Sequence, residues 1–208
     1  VSLPDELAEQ LLGSIIDGTY SPGGALPSEA ELAELFSMSR LTVREAIKAL
    51  RVQDVVRIER GRGTYVNPPT RWTSLHALVR AATSPGAVPE VVTALHEARR
   101  VLESGAAELA ALQRTDADLT LLRQHLREMA EAADAEARCA AHLAFHRAIA
   151  HATGNPLVPL LFEPFTRAAP AASDTARHEA LLAAIEAHDP AGARRSVDAH
   201  LHVRGTRT

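Results

Sequence analysis

The stretch that decides the fold is "LPSEAELAELFSMSRLTVREAIKALRVQDVVRIERGRGTYV", residues 26–66. Ser28-Glu29-Ala30-Glu31 has the spacing of a capping box. The Ser28 hydroxyl can accept from the amide of Glu31, and the Glu31 carboxylate can reach back to the amide of Ser28. A helix of about nine residues, through Phe36, is expected from that start. Ser39 can cap a second helix that runs to about Gln53. Beyond it, Val56 and Ile58 alternate with Arg57 and Glu59, the chain turns at Gly61-Arg62-Gly63, and it returns through Thr64-Tyr65-Val66. Alternation, a glycine turn and a β-branched return describe a hairpin. Two short helices joined by "SMS", with a hairpin behind them, describe a helix-turn-helix with a wing.

Outward from this stretch, residues 4–18 carry Leu7, Leu11, Ile15 and Ile16 at helical spacing and add a third helix in front. From Met38 to Val66 there are seven cations against three acids. The whole chain carries a formal charge of −4, so the basic segment is a local patch rather than a general property. Arg40, Arg44 and Lys48 recur every four residues and form one stripe on the second helix of the pair. Guanidinium groups at that spacing can enter a major groove and reach phosphates and guanine edges. Gly61 and Gly63 let the wing backbone approach DNA closely, with Arg62 at the tip. The plain alternative is a solvated charged helix beside an ordinary hairpin. The ordered set of features favours DNA binding.

The 208 residues suffice for one large or two small domains. Apolar residues make up 46% of the chain but aromatic residues only 3%, so the core is aliphatic and suits packed helices. The single Cys139 excludes an internal disulfide framework, and a reducing cytoplasm is the expected location. No secretory leader and no apolar run of membrane-spanning length is found. The strongest breaks are Ser21-Pro22-Gly23-Gly24, Gly61-Arg62-Gly63, Asn67-Pro68-Pro69 and Ser84-Pro85-Gly86. The expected organisation is a winged helix-turn-helix over residues 1–68, a linker with a first connecting helix over 69–87, and an all-helical domain over 88–208. The expected fold class is therefore mainly α, a winged helix-turn-helix followed by an all-α bundle.

Helices are expected near 73–83, 88–112, 116–133, 135–153, 156–167, 174–188 and 190–204. Gly154 fits a helix C-terminus, and Asn155-Pro156 fits the start of the next helix. In the 88–112 helix the inward stripe reads Leu95, Arg99, Leu102, Ala106, Leu109. A guanidinium on an apolar stripe needs an anion. Glu103, one turn on, is one candidate, and a carboxylate ligand gripped bidentately is the other. The stripe His142, Phe145, His146, Ile149 turns two histidines inward, since residues four apart sit about 40° apart on a helix. His178 falls with Leu181, Leu182 and Ile185, and His200 with Ala193, Val197 and Leu201. One inward histidine is ordinarily a satisfied core residue. Four on three helices each bring a donor and an acceptor to be paired, and a shared divalent metal would satisfy four ring nitrogens at once. His76, His96, His125, His151, His188 and His202 lack that coincidence and read as surface or capping residues. Cys139 lies about 20° from His146 around the helix and reads as a small buried hydrophobe.

Residues 4–67 resemble the winged helix-turn-helix of the GntR transcription-factor family, through the capping box, "SRLTVREAIKAL" and "GRGTYV" in order. The resemblance implies DNA contacts at Ser28, Ser39, Arg40, Thr42, Arg44, Lys48, Arg62, Gly63 and Thr64. Ala30 stands where the family often has a DNA-contacting Arg, and Leu41 where Thr or another small residue is common. Residues 73–204 resemble the FCD ligand-binding domain of the FadR subfamily, through "EARRVLESGAAELAA", "HLAFHRAIAHATGN", "HEALLAAIEAHDPAGA" and "AHL". This implies a dimerising helical effector domain with a metal, commonly zinc or nickel, held by one Asp and three His. His146, His178 and His200 match the histidines, and His142 falls where the family usually has Asp. Arg99 matches the carboxylate-facing Arg, and Asn155 joins it as an expected effector contact.

The expected protein is a cytoplasmic homodimeric regulator, a repressor rather than an enzyme. It binds a palindromic operator and answers a small organic acid in a metal-containing helical pocket. Two alternatives stand beside this. One keeps the regulator without a functional metal. The other is a helical metallohydrolase with a DNA-binding appendage, because three or four histidines can build a zinc site with an open position.

Overall fold

The structure is a computed structural model and describes residues 2–166 and 175–202, with Thr166 and residues 200–202 described by their backbone alone. It divides into two compact units, Val1–Leu95 and His96–Thr208.

The first unit begins with α1 (Leu3–Ile16), capped by Ser2, whose side chain accepts from the Asp5 amide. Helix α2 (Glu29–Leu35) carries the expected capping box. It is seven residues long, two short of the expected length, because Phe36 leaves helical geometry and Ser37 turns left-handed at φ 53°. Helix α3 (Arg40–Val52) follows, with Ser39 accepting from the Thr42 amide. Its Val43, Ala46, Ile47 and Leu50 are buried, and they pack with Leu7, Leu11, Leu12 and Leu32 into one aliphatic core. The wing pairs β1 (Val56–Glu59) antiparallel with β2 (Gly63–Val66), in the register Val56 to Val66 and Glu59 to Gly63. Gly61 at φ 75° makes the reversal that a side chain would strain. Ala25 adds a short antiparallel bridge to Tyr65 on the other edge of β2.

The Asn67-Pro68-Pro69 break hides a lock. Asn67 is buried, donates from Nδ2 to the Asp54 carbonyl at 2.9 Å and accepts the Trp72 indole N–H on its own carbonyl at 2.9 Å. A single 3₁₀ turn (Pro69–Arg71) leads to α4 (Leu75–Thr83). Trp72, Ala77 and Ala81 belong to the same core as α1 and α3, so the connecting helix is built onto this unit. Arg80 and His76 both reach Glu9 of α1.

Helix α5 (Pro89–Gln113) starts in the first unit and continues into the second. The second unit adds α6 (Asp116–Glu131), α7 (Ala135–Ala152), α8 (Leu157–Thr166), α9 (Thr175–Glu186) and α10 (Pro190–His202). Helix α7 packs on α6 and α8, and α9 packs on α6 and α10. Among the described residues the hydrophobic cluster of this unit is aliphatic apart from Phe145. Leu95, Arg99 and Ala106 of α5 are buried as expected, but Leu102 and Leu109 are only half-buried. Glu103, Ser104, Ala107, Ala110 and Ala111 are buried as well. The inward face therefore sits about one position further along than the leucines suggest, because small alanines allow close approach where leucines mark the rim. Cys139 is half-buried rather than buried. It lies in the first turns of α7, where burial begins only at Ala141.

Candidate functional site

Two constellations carry the candidate chemistry, one in each unit. In the first unit, the burial of Val43, Ala46, Ile47 and Leu50 turns the other face of α3 outward. Arg40, Arg44 and Lys48 are all exposed on it. Arg44 forks its Nε and Nη2 onto the Glu29 carboxylate of α2, the closer contact being 2.9 Å. That hydrogen bond, followed by the charge of Glu29, raises the guanidinium pKa above its ordinary value. Lys48 pairs with Glu45 at 2.8 Å. Ser28 and Ser39 sit at the starts of α2 and α3, and the Ser39 and Thr42 hydroxyls lie 2.8 Å apart. The bonds from Ser28 hold the Glu31 carboxyl below the usual carboxylate range. At the wing, Arg62 is exposed and pairs with Glu59 at 2.9 Å. Gly63 is exposed and Thr64 half-buried. Leu41 stands exposed between Arg40 and Thr42. Arg57, by contrast, is spent on the fold, over the Tyr65 ring at 5.1 Å and bonded to Asn67.

In the second unit, His142 and His146 of α7 and His178 of α9 are all buried. One ring nitrogen from each lies within 4.8 Å of the others, a spacing that can hold a metal ion. The Nε2 atoms of His146 and His178 are 3.2 Å apart. The His142 ring lies 4.6 Å from that of His146 and 5.0 Å from that of His178, centre to centre. Phe145 packs edge-on against His146 and His178, and Phe162 of α8 stacks on His146 at 6.3 Å. The His200 side chain, the fourth expected ligand, lies outside the described residues.

Arg99 is buried, and its partner is the one its own helix offers: Nε donates to Glu103 Oε1. The other oxygen of Glu103 faces His146 Nδ1 at 3.7 Å. Sequence reading treated Glu103 only as a counter-ion for Arg99. No sequence signal marks its place beside His146, because that contact joins two different helices. Asn155 is exposed, and its Oδ1 accepts the Leu157 amide at 3.0 Å at the start of α8. The remaining described histidines fall at the surface or at helix ends. His76 pairs with Glu9 and His125 with Glu128, His151 and His96 are exposed, and His188 Nδ1 meets the Ala111 carbonyl at 2.7 Å. No described helix is long and apolar enough to cross a membrane.

Comparison with known proteins agrees with this division. Residues 3–66 match the family model described as "Bacterial regulatory proteins, gntR family", and residues 94–203 match the FCD domain. The galactonate operon transcriptional repressor of Escherichia coli is 32% identical over 159 residues, covering 76% of this chain and 69% of its own. The transcriptional repressor NanR of Escherichia coli is 30% identical over 215 residues, covering 96% and 82%. Among solved structures, a Streptococcus agalactiae GntR protein aligns with a TM-score of 0.50 at 25% identity, covering 96% of this chain and 98% of its own. These relatives are transcriptional regulators, and the metallohydrolase alternative falls with that finding. The chain, with its winged helix-turn-helix ahead of a helical FCD domain, belongs to the GntR family of DNA-binding transcriptional regulators, in its FadR-like branch.

Proposed function

We propose that this regulator is a homodimeric repressor whose grip on a palindromic operator is set by a small carboxylate and a divalent metal. Residues 1–68 read the operator through Ser28, Ser39, Arg40, Thr42, Arg44, Lys48 and the wing residues Arg62, Gly63 and Thr64. Residues 69–87 connect, and residues 88–208 sense and dimerise. Effector binding changes the spacing of the two reading heads. Localisation in the cytoplasm follows from the same role.

The observation that carries the effector reading is the convergence of three buried imidazoles, one of them facing the buried carboxylate that Arg99 holds. The donor set fits a late divalent metal. Neutral imidazoles bind zinc or nickel well, and Phe145 and Phe162 pack against the rings. His142, His146 and His178 would hold the ion, with His200 as the fourth ligand. The bound metal would supply positive charge and an open coordination position to an anionic effector. Arg99 would orient the carboxylate, and Asn155 is the further expected contact. A metal-free regulator has one observation in its favour. The 3.2 Å contact between His146 and His178 can also be a single shared hydrogen bond.

A thermal-shift screen of small carboxylates against the purified protein, with and without a chelator, tests the reading. Stabilisation by a carboxylate that the chelator abolishes supports it. Stabilisation indifferent to the chelator leaves the metal-free regulator.

A further inference from the structure

We propose that Glu103 is a positioning residue for the metal centre, holding His146 with its Nδ1 toward the carboxylate and its Nε2 toward the metal. The inference rests on the metal reading above and adds to it a residue outside the four histidines.

The argument starts from burial. Glu103 is 3% exposed, His146 4% and Arg99 5%. A buried carboxylate is costly unless charge and hydrogen bonds meet it on each side. Arg99, four residues earlier on α5, meets Oε1. Oε2 points at the Nδ1 of His146, which comes from α7. The other nitrogen of that ring, Nε2, faces His178 Nε2 at 3.2 Å. The His146 ring is thus bracketed, with a carboxylate on one nitrogen and a second imidazole on the other.

This bracket selects a tautomer. A neutral imidazole carries one proton, and a neighbouring carboxylate favours it on the facing nitrogen. With the proton on Nδ1, the Nε2 lone pair is left toward His142 and His178, where a metal needs it. At 3.7 Å the Glu103 contact is longer than a full hydrogen bond, and a movement of a few tenths of an ångström closes it. A carboxylate in this place also raises the basicity of the ligand ring. Its own charge is balanced by Arg99, so its effect falls on the orientation and basicity of the His146 ring. Because the same carboxylate is held by Arg99, the anion-reading side chain and the metal ligand share one group.

The test uses the full chain and Co²⁺ alone as probe, read by its visible absorption, with Zn²⁺ competition giving affinities. Glu103→Gln keeps the shape and removes the charge. It should bind Co²⁺ about 10- to 100-fold more weakly, with shifted absorption bands. Glu103→Asp, which keeps the charge one methylene further back, should fall between the two. In the Zn²⁺-loaded wild type, ¹H–¹⁵N correlation of the histidine rings should show His146 bound through Nε2 with its proton on Nδ1. If Glu103→Gln does not fold, Glu103→Asp and the wild-type ring spectra still decide. Unchanged affinity and bands in a folded Glu103→Gln, or His146 bound through Nδ1, overturns the inference and leaves the metal site standing. A wild type that takes up neither Co²⁺ nor Zn²⁺ overturns both.

Discussion

His146 and His178 stand on different helices, yet their Nε2 atoms lie 3.2 Å apart in the interior of the second unit. Two such atoms share one proton or one metal, and they cannot both donate. The packing that creates the contact is ordinary: α7 and α9 each bury a face, and the histidines fall on those faces with Phe145, Leu181 and Ile185. What the contact does therefore depends on a third partner, and His142 supplies a further nitrogen within reach.

His146→Ala is expected to lose the metal and, with it, the stabilisation that the metal gives the helical domain. His142→Asp is expected to keep the metal. With four neutral imidazoles the site with Zn²⁺ carries about +2, and with one carboxylate about +1, while Arg99 and Glu103 offset each other. The Asp variant should therefore bind an anionic effector more weakly. Elemental analysis and melting curves with and without chelator measure both effects. A wild type that is metal-free after growth in metal-replete medium counts against the site.

Arg99→Ala is expected to abolish the response to a carboxylate effector and leave operator binding by the free protein largely intact. The substitution leaves Glu103 buried without its guanidinium, so some loss of domain stability accompanies it. Operator binding is measured with rising effector concentration. A variant that still releases the operator at wild-type effector concentrations defeats the assignment.

The parts of the molecule written in local pattern were legible in the sequence. Ser28 with Glu31 gives the start of α2, Ser39 that of α3, and the Gly61 turn the wing. The histidine faces of α7 and α9 followed from the four-residue step and from neighbouring leucines. What stayed hidden was long-range. Nothing in the order of residues says that Glu103 of α5 meets His146 of α7, or that Arg44 meets Glu29 across fifteen residues. Asn67 was misleading in another way. It reads as a break before two prolines, yet its side chain is buried because the Asp54 carbonyl needs a donor there.

Asn67→Ala tests that lock. The substitution removes the donor to the Asp54 carbonyl and the acceptor for Arg57 Nη1 at 3.2 Å. Leaving buried polar groups without partners costs about 1–3 kcal/mol. The Trp72 indole bonds the Asn67 main chain and should survive. A lower denaturation midpoint for the isolated first unit or the full chain is expected. An unchanged midpoint shows that water replaces the amide.

Arg44 carries the most specific prediction for DNA. Its guanidinium is exposed and held in a fork by Glu29, so it reaches a groove only by exchanging that carboxylate for a phosphate or a base edge. A fork geometry that suits a carboxylate also suits the O6 and N7 of guanine. Arg44→Ala should therefore lose about 1–3 kcal/mol against a selected site and also lose discrimination at one base pair. Lys48→Ala, a point charge on the same stripe, should weaken all duplexes alike and reduce the salt slope by about one. Glu29→Gln frees the guanidinium and should tighten binding to random DNA more than to the selected site, because it removes a competing anion without adding a base contact. Sites selected from a random duplex pool, followed by titrations at several salt concentrations, measure all three. If Arg44→Ala changes neither affinity nor base preference, α3 does not enter the groove by the face that Arg40, Arg44 and Lys48 share.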